Sequence, residues 1–147
     1  MRVVLHTDGG ARGNPGPAGI GVVLADADGQ VIAELARGIG RATNNVAEYE
    51  ALIAGLELAL EHEATEVEAY VDSALVASQV KGEWKIKNDR LRALAVKARA
   101  LMGQFERASI DNVPREENAG ADRLANQGMD SAALDLEQDA ESQKLIE

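Results

Sequence analysis

Cysteine is absent from these 147 residues, so neither a disulfide framework nor a thiolate metal site is open to the chain. Histidine is scarce, with only His6 and His62, and any metal must be held by oxygen or by those two rings. Hard cations are the natural candidates. Long apolar runs are lacking too: none approaches a membrane span, and no signal-like segment opens the chain. The reading is a cytoplasmic protein with no membrane partner, a monomer of one compact domain whose 46% hydrophobic content supplies a core.

Positive charge is also in short supply. Fifteen Lys and Arg face twenty-five acids, a net charge of −10, which argues against a nucleic-acid partner because phosphate binding draws on Lys and Arg. The distribution changes that argument. Residues 131 to 147 carry five acids and one lysine and read as an acidic, flexible, solvated tail, open to a fusion or a partner, behind a domain at 1 to 130. Residues 81 to 99 hold seven basic residues against two acids, a local excess of +5.

The rest of the chain can be read as support for residues 2 to 19, RVVLHTDGGARGNPGPAG. Val3 to Leu5 suit a buried strand, Asp8 stands where it ends, and the loop of four Gly and two Pro that follows can lie against a large polar ligand. Ile20 to Ala25 and Val31 to Ile39 make two more strands around the DADG turn at 26 to 29. Beyond Thr43-Asn44-Asn45 the period turns helical, with Thr43 or Asn44 as N-cap and Glu48 in the first turns. Glu66 to Asp72 alternates as a strand, Ser73 caps a short helix through Val80, and Leu91 to Leu101 forms an amphipathic helix stopped by Gly103. Residues 105 to 113 read as a strand and Glu117 to Gly128 as the last helix. The order βββαβααβα implies an α/β fold: a mixed five-stranded sheet with helices on both faces.

Asp8 and Asp72 end strands, Glu48 opens a helix, and Asp122 lies in the last one. Taken singly, Asp8 reads equally well as the cap of a turn, and the others as caps and surface charges. Crowded together, carboxylates repel, and the usual resolution is a shared proton or bound divalent cations. An all-oxygen set favours Mg²⁺ or Mn²⁺, and two such ions about 3.5 to 4 Å apart serve in-line phosphodiester hydrolysis.

TDGGARGNPGPAG, TNNVAEYEAL, VDSALV and NAGADRLA occur in this order. Together they resemble the four signature segments of type 1 ribonuclease H, the bacterial HI class, over about residues 1 to 128. The resemblance implies the RNase H-like fold and endonucleolytic cleavage of the RNA strand of RNA/DNA hybrids, leaving 5′-phosphate and 3′-hydroxyl ends. It makes Asp8, Glu48, Asp72 and Asp122 the metal-binding, catalytic acids, with Mg²⁺ or Mn²⁺ as two ions per site. Asp8 would bridge both ions, Asp72 and Asp122 would complete one each, and Glu48 would also accept from a ribose 2′-hydroxyl. Gly9, Gly13, Asn14, Asn44, Asn45 and Ser73 would line the hybrid, while Arg41 and Thr43 would hold a DNA phosphate. Amides that both donate and accept suit sugar and base edges; turn and capping duty is the alternative for them.

Two departures from that family's pattern stand out. The loop before Asp122 reads VPREENAGAD and lacks the histidine associated with product release, which leaves Arg115 or Glu116 for that role. The stretch from Val80 to Leu94 is too short for an extra basic helix and loop, and Lys81, Trp84, Lys85 and Lys87 are its partial replacements, Trp84 stacking on a sugar or base unless it is a core residue. Rival readings are a hybrid-binding module with an idle metal site and a DnaQ-like 3′ to 5′ exonuclease. Against the latter, Gly10 stands where that family places a second acid.

Overall fold

The computed structural model describes residues 1 to 146. Five strands and four helices follow in the order β1 (Arg2–Ala11), β2 (Gly16–Asp26), β3 (Val31–Ala42), α1 (Asn44–Glu61), β4 (Glu66–Val71), α2 (Ala74–Lys81), α3 (Asp89–Met102), β5 (Arg107–Asn112) and α4 (Ala119–Ile146). A single 3-10 turn, Arg115–Asn118, leads into α4. The sheet runs β3-β2-β1-β4-β5, with the first three strands antiparallel and β4 and β5 parallel to β1 and to each other respectively. The mixed sheet and the element order are those expected from the sequence.

Alternation divides the helices between the faces. Val3 and Leu5 of β1 and Val22 and Leu24 of β2 are fully buried in one cluster with Tyr49, Leu52 and Leu56 of α1 and Ala95 and Ala98 of α3. The opposite face of β1 and β2 is lined by small residues at the top. A Cβ on Gly21 would stand 2.1 Å from the Ala121 carbonyl oxygen, so the bare backbone there is what lets α4 lie directly on the sheet. Ala121, Leu124, Ala125, Gly128, Met129 and Ala132 form the buried side of that helix.

Several boundaries differ from the sequence reading. The glycine segment expected as a loop after Asp8 is mostly strand, because β1 and β2 stay paired as far as Ala11 and Ala18 and only Arg12 to Pro15 turn free of the ladder. The acidic segment from residue 131, expected to be flexible, continues α4 as helix to Ile146; its last residue, at 147, lies outside the described residues. Ala132 is buried, whereas every residue from Glu137 to Ile146 is exposed. Alanines, Leu, Glu and Gln favour the helix, and no Gly or Pro interrupts it beyond Gly128. No helix among the described residues is long and apolar enough to cross a membrane.

Candidate active site

The parallel pairing of β1 with β4 carries the first step of the site. His6 stands opposite Tyr70, so two residues further along each strand Asp8 and Asp72 emerge side by side. Glu48 reaches them from α1. Thr43 caps that helix, its hydroxyl accepting from the Val46 N–H at 3.2 Å. The helix end then settles against Gly9, where a Cβ would come 2.1 Å from the Ala47 carbonyl oxygen. Behind it, the buried Tyr49 hydroxyl donates to Gln79 Oε1 at 2.7 Å and ties α1 to α2, the helix that Ser73 caps immediately after Asp72.

Carboxylate oxygens of Asp8, Glu48 and Asp72 lie within 4.8 Å of one another. Asp122 comes from the first turn of α4 and lines the same cavity, but its carboxylate accepts from Arg115 Nη2 at 3.2 Å and stands outside that closest trio. Burial, reinforced by the charge of Asp72, pushes the Asp8 carboxyl up to about 7. Burial also raises Glu48 well above the usual carboxylate range, with the charges of Asp8 and Asp72 adding to it. Glu48 Oε2 is buried and has no hydrogen-bond partner. A buried carboxyl oxygen without a partner, among acids that resist ionising together, marks a site that lacks positive charge, and an all-oxygen donor set fits a hard divalent cation.

The cavity is large for a metal site alone, at about 500 Å³. Besides the four acids its walls include Gly9, Gly10, Arg12, Asn44, Arg115, Asn126 and Met129. Arg12, Asn126 and Met129 are absent from the sequence reading. Asn126 and Met129 follow Asp122 by four and seven residues, the spacing of one helix face, and that signal would have found them once the helix was placed. For Arg12 the signal was its place within the glycine segment.

Other expected residues are distributed more widely. Asn14 and Asn44 serve the turn chemistry: Asn14 Oδ1 accepts from the Asn44 N–H at 3.0 Å and Asn44 Oδ1 from the Ala11 N–H at 2.8 Å. Their amide NH₂ groups are left to donate elsewhere. Gly13 has φ of 95° and turns the loop, and Asn45 is exposed in the first turn of α1. Arg41 and Thr43 line a separate cavity of about 200 Å³ with Pro15, Ala42, Val46 and Arg90, the last contributed by α3 and not anticipated as a site residue. Lys81 is paired with Asp111 of β5 at 3.0 Å, away from the carboxylates. Trp84, at 49% exposure, is no core residue, and it shares the exposed loop between α2 and α3 with Lys85 and Lys87. Glu116 is exposed in the turn before α4 beside Arg115. His6 stacks on Tyr70 at 5.3 Å and faces a smaller cavity with Glu117 and Asn118, outside the carboxylate cavity.

Comparison with known proteins gives the fold and site a family context. A family model described as reverse transcriptase-like matches residues 6 to 128. The chain is 52% identical over 147 residues to a bifunctional protein of Mycobacterium tuberculosis, covering 99% of this chain and 40% of that protein. It thus spans about two fifths of that relative's length. The Ribonuclease HI of Halobacterium salinarum is 48% identical over 131 residues, 89% of this chain and 66% of that protein. The solved structure of RNase H1 from that archaeon matches with a TM-score of 0.88, covering 90% of this chain and 100% of that one. A third relative, LC11-RNase H1 solved in complex with an RNA/DNA hybrid, has a TM-score of 0.83 at 43% identity, over 89% of this chain and 99% of that one.

Proposed function

The chain belongs to the reverse transcriptase-like, type 1 ribonuclease H family, and on that premise we propose that it is an endonuclease hydrolysing the RNA strand of RNA/DNA hybrids. The observation that carries the reading is the trio of carboxylates within 4.8 Å, with a buried, unpartnered Glu48 oxygen, in a cavity of about 500 Å³. LC11-RNase H1, structurally similar to this chain, was solved with such a hybrid bound.

Asp8, Glu48 and Asp72 would hold divalent cations, Mg²⁺ or Mn²⁺ as two ions, with Asp122 completing the set. When bound, such ions supply positive charge to the attacking and leaving oxygens of an in-line displacement, consistent with 5′-phosphate and 3′-hydroxyl products. The protein's own groups do the positioning. Glu48 accepts from the ribose 2′-hydroxyl, the one group that separates RNA from DNA at this point, and the free amide donors of Asn14 and Asn44 reach the sugar edges. Arg41 and Thr43, with Arg90 on the facing wall, take a phosphate of the uncut strand in their own cavity. Arg115 pairs with Asp122 and is the group available to assist product departure.

A labelled hybrid, duplex RNA and duplex DNA, each with Mg²⁺, Mn²⁺ or EDTA, tests the reading. Internal cuts confined to the RNA of the hybrid, abolished by EDTA, are expected. Stepwise removal of nucleotides from a 3′ end would make the chain an exonuclease. Tight hybrid binding with no turnover under either metal would make it a binding module.

A further inference from the structure

We propose that Arg12 is a substrate-binding residue that holds a phosphate of the cleaved strand next to the scissile one, an inference that rests on the hybrid-cleaving reading of the same cavity. A polyanion entering a cavity floored by four acids needs cations on its walls. Two of the residues lining it are cationic, Arg115 and Arg12, and they differ in what they already touch. Arg115 is engaged by Asp122 at the reacting end. Arg12 approaches from the loop after β1 and is held by two groups of α4: its Nη1 pairs with Asp130, and its Nη2 donates to the Asn126 carbonyl at 3.5 Å.

These contacts orient the guanidinium without using it up. Five N–H donors form its fork, and α4 engages one contact at each of two nitrogens, Nη1 and Nη2, which leaves further donors to a ligand. The backbone of Arg12 is fixed as well, its N–H donating to the Pro17 carbonyl at 2.9 Å across the turn. An ion pair this exposed contributes little to stability, too little to account for the arrangement as a structural clamp. As a pre-oriented, bidentate phosphate ligand it has the geometry in which Arg differs from Lys.

The test is steady-state cleavage of a hybrid by the parent, Arg12→Gln, Arg12→Lys and Asp130→Asn between 50 and 200 mM salt, with Tm measured alongside. Arg12→Gln is expected to raise KM about five- to twentyfold with kcat within about threefold, and to flatten the slope of log kcat/KM against log salt by about 0.7 to 0.9, one phosphate contact. Arg12→Lys should restore the slope but only part of the KM, because a point charge replaces the fork. A parental KM and slope for Arg12→Gln would overturn the assignment. So would an Asp130→Asn variant that reproduces the whole Arg12→Gln defect, since the ion pair alone would then be responsible. A parent that leaves the hybrid uncut would sink the functional reading itself, and this inference with it, whereas a parent that cuts while Arg12→Gln matches it sinks the inference alone.

Discussion

Asn118 Nδ2 donates to the Thr7 carbonyl at 2.9 Å, a buried bond across 111 residues of sequence. Thr7 immediately precedes Asp8, and Asn118 stands four residues before Asp122. One hydrogen bond thus fastens the turn that launches α4 to the strand that presents the first acid.

Removing that bond should disturb both stability and the site. Asn118→Ala leaves a buried carbonyl without its donor, at a cost of about 1 to 3 kcal/mol. It also frees Asp122 from its register with Asp8, and kcat should fall about tenfold or more while KM changes little, since small displacements of reacting groups are expensive. Thermal unfolding and steady-state kinetics measure the two effects. A destabilised variant with parental kcat would reduce Asn118 to a purely structural residue.

Asp8→Asn is expected to remove nearly all hybrid cleavage and yet to stabilise the metal-free protein. The Asp8 carboxyl is pushed up to about 7 in the fold, above its unfolded value of about 3.9, so the folded state holds its proton the more tightly. The stability associated with that proton is complete below about pH 4 and is lost as pH rises through about 7. In EDTA, Asp8→Asn should therefore exceed the parent in Tm by more at pH 8 than at pH 5. Mg²⁺ should raise the parent's Tm, and more so at pH 8 than at pH 5. A Tm difference in EDTA that does not change with pH contradicts the carboxylate-crowding account.

His6 shares a face of β1 with Asp8, yet it packs on Tyr70 and turns to a different cavity. Burial lowers its pKa, partly opposed by the Glu117 charge, which leaves a neutral ring near pH 7. His6→Phe should keep kcat within about tenfold, whereas losing a general base typically costs about 10² to 10⁴. A loss in that larger range, in a variant whose circular dichroism is unchanged, would assign the ring a catalytic part.

The outer half of α4 tests the acidic segment. Residues 137 to 146 are exposed throughout, and α4 lies on the sheet face opposite α1 and α3, whereas the basic run from Lys81 to Arg99 belongs to the α2 and α3 side. Deleting 137 to 147 should shift Tm by less than about 4 °C, the scale of 1 kcal/mol or less in a domain of this size. KM for hybrid and its salt dependence should stay as they were. A lower KM after deletion would show that the acidic helix competes with substrate.

The four acids and the caps at Thr43, Ser73 and Gly103 were legible because each is a local matter: an acid at the end of an alternating run, a hydroxyl or a glycine at a change of period. Helix existence and element order followed for the same reason, from repeats of 3.6 and 2 residues. What the sequence did not display depends on which backbone lies against which. The approach of α1 to Gly9 and of α4 to Gly21 was not displayed, because a missing Cβ is read locally as freedom and only a packed helix makes it a contact. The continuation of α4 to Ile146 was hidden by charge, which suggests solvation and is silent on helicity. Asn118 and Arg90 meet their partners only through long-range register, and no local pattern of residues specifies that. Which carboxylates the chain offers was therefore determined by residue identity, and the walls of the cavity around them by tertiary packing.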